Sequence, residues 1–310
     1  MNNYTFTIII PHKDTPQLLM RCLSSIPHRD DLQIIVVDDN SQDADNFILK
    51  YPLLSRSHVE FYSSKSGRGP GAARNYALDR ARGKWIIFSD ADDYFDVNMS
   101  DLLTQYANDD ADVIFFNPRG VMSDNISVPS NRVQTYLQNN YDDFTVYKLS
   151  YLVPWGKMIK RALIEQNQLR MDEVRWSADV FFMCKIVVLA QRTKIDSRVL
   201  CVITERQDSL SYNIRRTNKV TIEESLCRAN VYINCYNYVK QMGVYAENCK
   251  SIVFQHLLQI YRVGTWRDFC KMYRKIFPEY RKEIDMLFMK DLNIIGILYW
   301  KVLLWGSQFF

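Results

Sequence analysis

Along the first hundred residues, unbroken apolar runs alternate with stretches whose apolar positions recur at helical spacing. Phe6 to Ile10 reads as a buried strand, Leu18, Leu19, Cys22, Leu23 and Ile26 give Gln17 to Ile26 a helical period, and Gln33 to Val37 is a second strand. Strand, helix and strand in that order predict a βαβ unit. The second strand runs directly into Asp38, Asp39, Asn40, Ser41, Gln42 and Asp43, where Ser and Asp predict a nearby helix start because their side chains accept N-cap hydrogen bonds. Val59 to Tyr62 is a third, short strand. It leads into a glycine-rich stretch from Lys65 to Asn75, and Ala72 to Ala81 predicts the helix behind it. Trp85 to Phe88 is a further buried strand, and Asp90, Asp92 and Asp93 follow at once. Ligands of open α/β sheets bind beyond the carboxyl ends of strands, so Asp39 and the acidic cluster are expected to face one crevice.

From about residue 218 the pattern is helical throughout. Ser225 to Val239 and Cys249 to Val263 carry apolar residues at helical spacing and predict helices packed on the preceding domain. In Trp266 to Phe277 the aromatic and aliphatic positions share one face while Arg267, Lys271, Arg274 and Lys275 take the other, as in a helix lying in a membrane interface. Leu292 to Phe310 is an apolar tail interrupted by Asn293 and Lys301; its Trp and Tyr residues suit an interfacial position better than a span, and a docked core helix is the plainer alternative. The pattern divides the chain into an α/β domain over 1–215 and a helical region over 216–310.

Composition supports a globular chain. Of 310 residues 47% are hydrophobic and 24% charged, enough for a core without staples. Seven cysteines show no paired or zinc-type spacing, which predicts reduced thiols, and the amino terminus carries no secretory signal pattern. The net charge of +4 is uneven: residues 1–211 carry 24 basic and 27 acidic side chains, residues 212–310 carry 15 and 8. That asymmetry points to an anionic partner for the last third, membrane lipid or nucleic acid, with a solvated basic helix face as the plainer alternative. No nucleic-acid reader motif accompanies it, so nucleic acid is not expected as a partner. The histidines, 12, 28, 58 and 256, have no metal spacing, and His12 is expected to be structural or solvent-facing.

The acidic cluster carries the chemistry. Like charges so close raise one another's pKa unless water or a cation offsets them. Hard divalent ions such as Mg²⁺ and Mn²⁺ favour carboxylate oxygens and complete their shell with substrate phosphates, so an Asp-x-Asp at a strand end points to a metal-diphosphate site. A solvated acidic turn is the plainer alternative. Gly67-x-Gly-x-Gly71 loosely mimics a dinucleotide-binding fingerprint, but it does not follow the first strand and its third glycine is misplaced.

Taken together, Ile8-Ile-Ile-Pro11, Val36-Val-Asp-Asp39-Asn-Ser-x-Asp43, Gly69-x-Gly71-x-Ala-Arg74-Asn75 and Phe88-x-Asp90-x-Asp92-Asp93 resemble the family 2 glycosyltransferases of the GT-A fold. The resemblance implies a Rossmann-like mixed sheet flanked by helices, with a helical C-terminal extension. It implies a nucleotide-sugar site containing Pro11, Asp39, Gly71, Arg74, Asp90 and Arg206, with Asp92 as direct ligand of Mn²⁺ or Mg²⁺ and Asp90 at the ribose or the metal's water shell. Asp39 would accept from the ring N–H of uracil, or equally of guanine. Val153-Pro-Trp155-Gly-Lys157 is similar to an acceptor-side segment of the family. Asp179 falls where the family has its catalytic base, although the usual preceding Glu is Ala178 here. Arg206 with Ser209 and Ser211 looks like the loop that closes over the diphosphate. Lys13 and Asp14 stand where the family more often has Tyr and Asn, which removes an aromatic platform for the base. Without the resemblance, Asp179 reads equally as a helix N-cap and Arg206 as a surface cation. The implied activity is inverting, metal-assisted transfer to a lipid-linked surface glycan such as capsule or lipopolysaccharide, at the cytoplasmic face of a bacterial membrane. A non-catalytic scaffold and a sugar nucleotidyltransferase are the alternatives.

Overall fold

The computed structural model describes residues 4–42, 46–64, 67–130, 133, 148–206, 220–244 and 247–291. It resolves into two compact units, Met1–Asp142 with Tyr151–Asn218, and Asp143–Ser150 with Lys219–Phe310.

The first unit is built on one eight-stranded sheet. Its strands are β1 (Phe6–His12), β2 (Leu32–Asp39), β3 (Val59–Ser64), β4 (Trp85–Phe88), β5 (Tyr94–Phe95), β6 (Val113–Met122), β7 (Lys157–Lys160) and β8 (Thr193–Glu205), in the order β3-β2-β1-β4-β7-β6-β8-β5. β3, β2, β1 and β4 are parallel neighbours; β7 runs antiparallel to β4 and β6, and β5 antiparallel to β8. Every residue of β2 and β4 is buried, as expected of parallel strands covered on both faces. The helices of this unit are α1 (Pro16–Ser25), α2 (Phe47–Lys50), α3 (Pro70–Leu78), α4 (Met99–Tyr106), α5 (Arg161–Gln166) and α6 (Val180–Leu189). Phe182 of α6 meets Phe88 of β4 edge to face at 5.9 Å, and both are almost fully buried, each contributing roughly 1.5–3 kcal/mol through burial.

Two local expectations shift. The helix expected straight after Asp38 to Asp43 is the single turn α2, and Asp43 lies outside the described residues. Ser41 is not its cap: its Oγ donates to Asp38 Oδ1 at 2.5 Å. The helix expected over Ala72 to Ala81 starts earlier, at Pro70, whose fixed φ suits a first helical position, behind Gly69 at φ 91°.

The second unit holds α7 (Ile222–Gln241), α8 (Glu247–Val263), α9 (Trp266–Tyr273) and α10 (Arg281–Asp291). Thr221 caps α7 by accepting from Glu224 N, and Thr265 with Asp268 forms a reciprocal capping box on α9. The apolar face of α9 is not open to a membrane. Phe269, Met272 and Tyr273, with Ile276 beyond, are buried as α9 packs on α7 and α8, so the amphipathic pattern reflects a docked helix. The opposite face keeps Arg267, Lys271, Arg274 and Lys275 exposed. Among the described residues no helix is long and apolar enough to cross a membrane. The 292–310 tail lies outside the described residues.

Candidate active site

A cleft of about 860 Å³ opens at the carboxyl ends of β1, β2 and β4, and Pro11, Asp39, Arg74, Asp90, Asp92 and Arg206 line it. The topology accounts for the convergence: His12 pairs with Asp38 in register, and Phe88 lies opposite Ile9, so the polar residues following three adjacent strands emerge along one edge.

A buried network fixes the base of the cleft. His12 Nδ1 lies 2.8 Å from Asp38 Oδ1, Thr15 N donates to His12 Nε2 at 3.2 Å, and Asp14 N donates to Ser41 Oγ at 2.7 Å. Burial alone would raise the Asp38 carboxyl, yet hydrogen bonds from His12 and Ser41 hold it below its ordinary value. His12 is therefore structural and, at 2% exposure, not solvent-facing. The next residue is freer. Asp39 Oδ2 accepts from Gly69 N at 2.9 Å, while its Oδ1 is buried without a hydrogen-bond partner among the described residues.

The acidic cluster is held from two sides. Arg74 of α3 pairs with Asp90, and Arg206 Nε lies 3.2 Å from Asp92 Oδ2. Asp93 turns inward, where Oδ1 accepts from Thr204 N at 2.7 Å. Thr204 Oγ1 and Arg21 Nη2 each donate to the Asp92 carbonyl at 2.5 Å, so α1 and the end of β8 are tied to the acidic turn. Carboxylate oxygens of Asp90, Asp92 and Asp93 lie within 4.8 Å of one another, a hard-oxygen donor set that fits Mg²⁺ or Mn²⁺.

Other expected residues occupy different positions. Gly71 does not line the cleft: a Cβ there would meet the Asp172 carbonyl oxygen, so the missing side chain lets α3 pack close against the 171–178 loop. Trp155 and Lys157 are buried at 5% and 0% exposure, and neither lines the cleft. Lys157 Nζ donates to Val153 O at 2.8 Å and lies 3.3 Å from the centre of the Tyr151 ring; burial pushes its pKa well below the usual lysine range. Asp179 precedes α6 at the N-cap position but makes no capping hydrogen bond. It is half-buried, and desolvation pushes its carboxyl up despite the nearby Arg74 guanidinium. Ser209 and Ser211 lie outside the described residues.

The sequence reading missed Arg21 and Thr204, which fix the acidic turn, and gave no role to Arg68 or Arg175, which line the cleft. Arg68, lying between two loop glycines, was a readable signal.

Sheet order and cleft have the architecture of the GT-A fold. The chain belongs to glycosyl transferase family 2, whose profile matches residues 7–167. Glycosyltransferase GlyA of Streptococcus pneumoniae is 26% identical over 66% of this chain and 31% of its own length. EpsH of Bacillus subtilis is 22% identical over 97% of this chain and 79% of its own. The chain thus spans less than a third of GlyA and about four fifths of EpsH. Among solved structures, S. aureus TarS 1–349 in complex with UDP-GlcNAc superposes with a TM-score of 0.64 at 18% identity, over 91% of this chain and 83% of that one.

Proposed function

We propose that the chain is an inverting glycosyltransferase that moves a sugar from a nucleotide-diphosphate donor, uridine favoured, to a hydroxyl of a lipid-linked surface glycan. The observation that carries this reading is the unpartnered Asp39 Oδ1 in the same cleft as Asp90 and Asp92. An ionised carboxylate can only accept, and the ring N–H of uracil, or of guanine, supplies the missing donor. The first turn of α3 offers N–H groups without intrahelical partners to the diphosphate. Asp92 and Asp90 would hold Mn²⁺ or Mg²⁺, which when bound offsets charge on the departing diphosphate as a Lewis acid. Arg74 and Arg206 add fixed cations to the same wall.

Asp179 is the base in this reading. Its carboxyl is not used in capping and its pKa is raised, both suited to taking the acceptor hydroxyl's proton. Attack on the anomeric carbon from the face opposite the diphosphate inverts its configuration. Trp155 and Lys157 act behind the acceptor side by fixing the 153–157 turn. Residues 1–215 form the catalytic domain. The basic face of α9, within 216–310, supports peripheral attachment to anionic lipid at the inner face of the cell membrane.

A donor screen tests the reading. The protein with Mn²⁺ or Mg²⁺ is given UDP-, GDP- and dTDP-sugars, and release of nucleoside diphosphate is followed beside Asp92→Ala. Metal-dependent release from one donor, lost in the variant, is expected. Absence of both release and metal-dependent nucleotide binding overturns it.

A further inference from the structure

Five basic side chains and four carboxylates line the cleft. Three of the five are already answered: Arg74 by Asp90, Arg206 by Asp92, and Arg68 by Glu173 at 2.6 Å. Lys13 and Arg175 have no ion-pair partner among the described residues. Lys13 follows β1, on the side of Asp39. Arg175 lines the same cleft from another element, four residues before Asp179 on the loop that leads into α6.

That loop is held in shape. Asp172 N donates to Ala178 O at 2.9 Å and closes it, while Asn75 of α3 exchanges two 2.9 Å hydrogen bonds with the Met171 backbone. Gly71 packs beneath the Asp172 carbonyl, and Ser177 takes a left-handed φ of 58°. Arg175 is exposed within it, its guanidinium 4.9 Å from the centre of the Trp176 ring. This cation–π contact holds the exposed guanidinium beside the indole, and its N–H groups suit a two-point grip on an oxyanion.

The charge balance identifies what that oxyanion belongs to. In the transferase reading the donor's diphosphate and the divalent cation would largely cancel, and the ion's claim on Asp92 would free Arg206 for the diphosphate. Arg175, placed on the loop of the base, is left for the other substrate. We propose that Arg175 grips an oxyanion, phosphate or carboxylate, on the acceptor, so that the enzyme takes anionic acceptors in preference to neutral ones. The proposal rests on the transferase reading above, with Asp179 marking the acceptor side.

The test is a two-stage titration of the full chain. UDP with Mn²⁺ is titrated first. The saturated complex is then titrated with sn-glycerol 3-phosphate, D-glycerate and glycerol, in the wild type and in Arg175→Ala. At least one anionic probe is expected to bind where glycerol does not, and whichever binds more tightly names the oxyanion. Arg175→Ala should weaken that binding about tenfold, the factor for one charge-assisted contact, and leave UDP·Mn²⁺ affinity unchanged. Wild-type binding that does not distinguish the anionic probes from glycerol overturns the proposal, as does equal binding in the variant. A tenfold loss of UDP·Mn²⁺ affinity in the variant overturns it too, because Arg175 would then belong to the donor site. Failure of UDP·Mn²⁺ to bind the wild type at the first stage removes the parent reading, and the proposal with it.

Discussion

Arg206 Nε lies 3.2 Å from Asp92 Oδ2, across a junction that Thr204 and Arg21 fasten by donating to the Asp92 carbonyl. In the proposed reading the guanidinium and a divalent cation would draw on the same carboxylate. Both partners of this pair are partly solvated, so its worth is about 0.5–1 kcal/mol. Arg206→Ala should tighten Mn²⁺ binding to nucleotide-free protein severalfold and slow sugar transfer, since the diphosphate loses a cation. Manganese titration followed by electron paramagnetic resonance reads the first effect. Unchanged affinity would mean that the pair does not compete with the ion.

Asp179→Asn should keep nucleotide binding and lower transfer by about 10²–10⁴-fold, the usual share of a general base. Desolvation raises the Asp179 carboxyl above 3.8, so between that value and its folded pKa the folded state holds a proton that the unfolded chain has released. Its contribution to stability is fully present below 3.8 and is lost as pH rises through the folded pKa, so the ionised group opposes folding at neutral pH. The variant should accordingly melt slightly higher than the wild type. The acid limb of the wild-type rate profile should lie above pH 3.8 and report ionisation of this carboxyl. Full transfer activity in the variant removes Asp179 from the mechanism.

Lys157 is fully buried, and burial pushes its pKa well below 10.5. Between the folded value and 10.5 the unfolded chain binds a proton that the folded protein lacks, so stability rises with pH through that window. Lys157→Met keeps the volume and abolishes that slope, but it leaves the Val153 and Trp155 carbonyls without the hydrogen bonds that Lys157 Nζ donates. The two effects oppose, and net stability near neutral pH should change by no more than about 1 kcal/mol. Urea unfolding near neutral pH and near pH 10 checks both. A slope that survives the substitution would place the missing proton on another group.

The part of the site legible in the sequence is the part where an apolar strand runs directly into proline or charge. β1 into Pro11, β2 into Asp39 and β4 into Asp90 and Asp92 each announce their own element, and the parallel register then brings them to one cleft. What escaped depends on neighbours distant in the chain. β5 is two residues long, and β8 begins with a half-exposed stretch, so neither has a clear period. Gly71 could be read as freedom for a ligand, but only the Asp172 carbonyl beside it shows that the space is already used. The amphipathic pattern of α9 is the same whether a membrane or a helix covers its apolar face, and α7 and α8 cover it.

The second unit carries its own pH sensitivity. His256 stacks on Tyr232 at 5.0 Å, and burial, with the nearby Arg228 guanidinium adding, pulls its pKa down to about 4 from 6.5. The folded imidazole is thus neutral where the unfolded one would be charged. Its contribution to stability is present above 6.5 and is lost as pH falls from there to about 4, on the order of 2 kcal/mol once its partly exposed edge is allowed for. His256→Phe keeps a ring against Tyr232 and has no proton to gain, so it should melt at a temperature less dependent on pH in that range. Thermal unfolding of wild type and variant, followed by near-ultraviolet circular dichroism near pH 7 and near pH 5, measures the difference. Equal acid sensitivity in the two proteins would shift the source of any acid lability away from His256, and a larger sensitivity in the variant would mean that the imidazole stabilises the unit through its charged form.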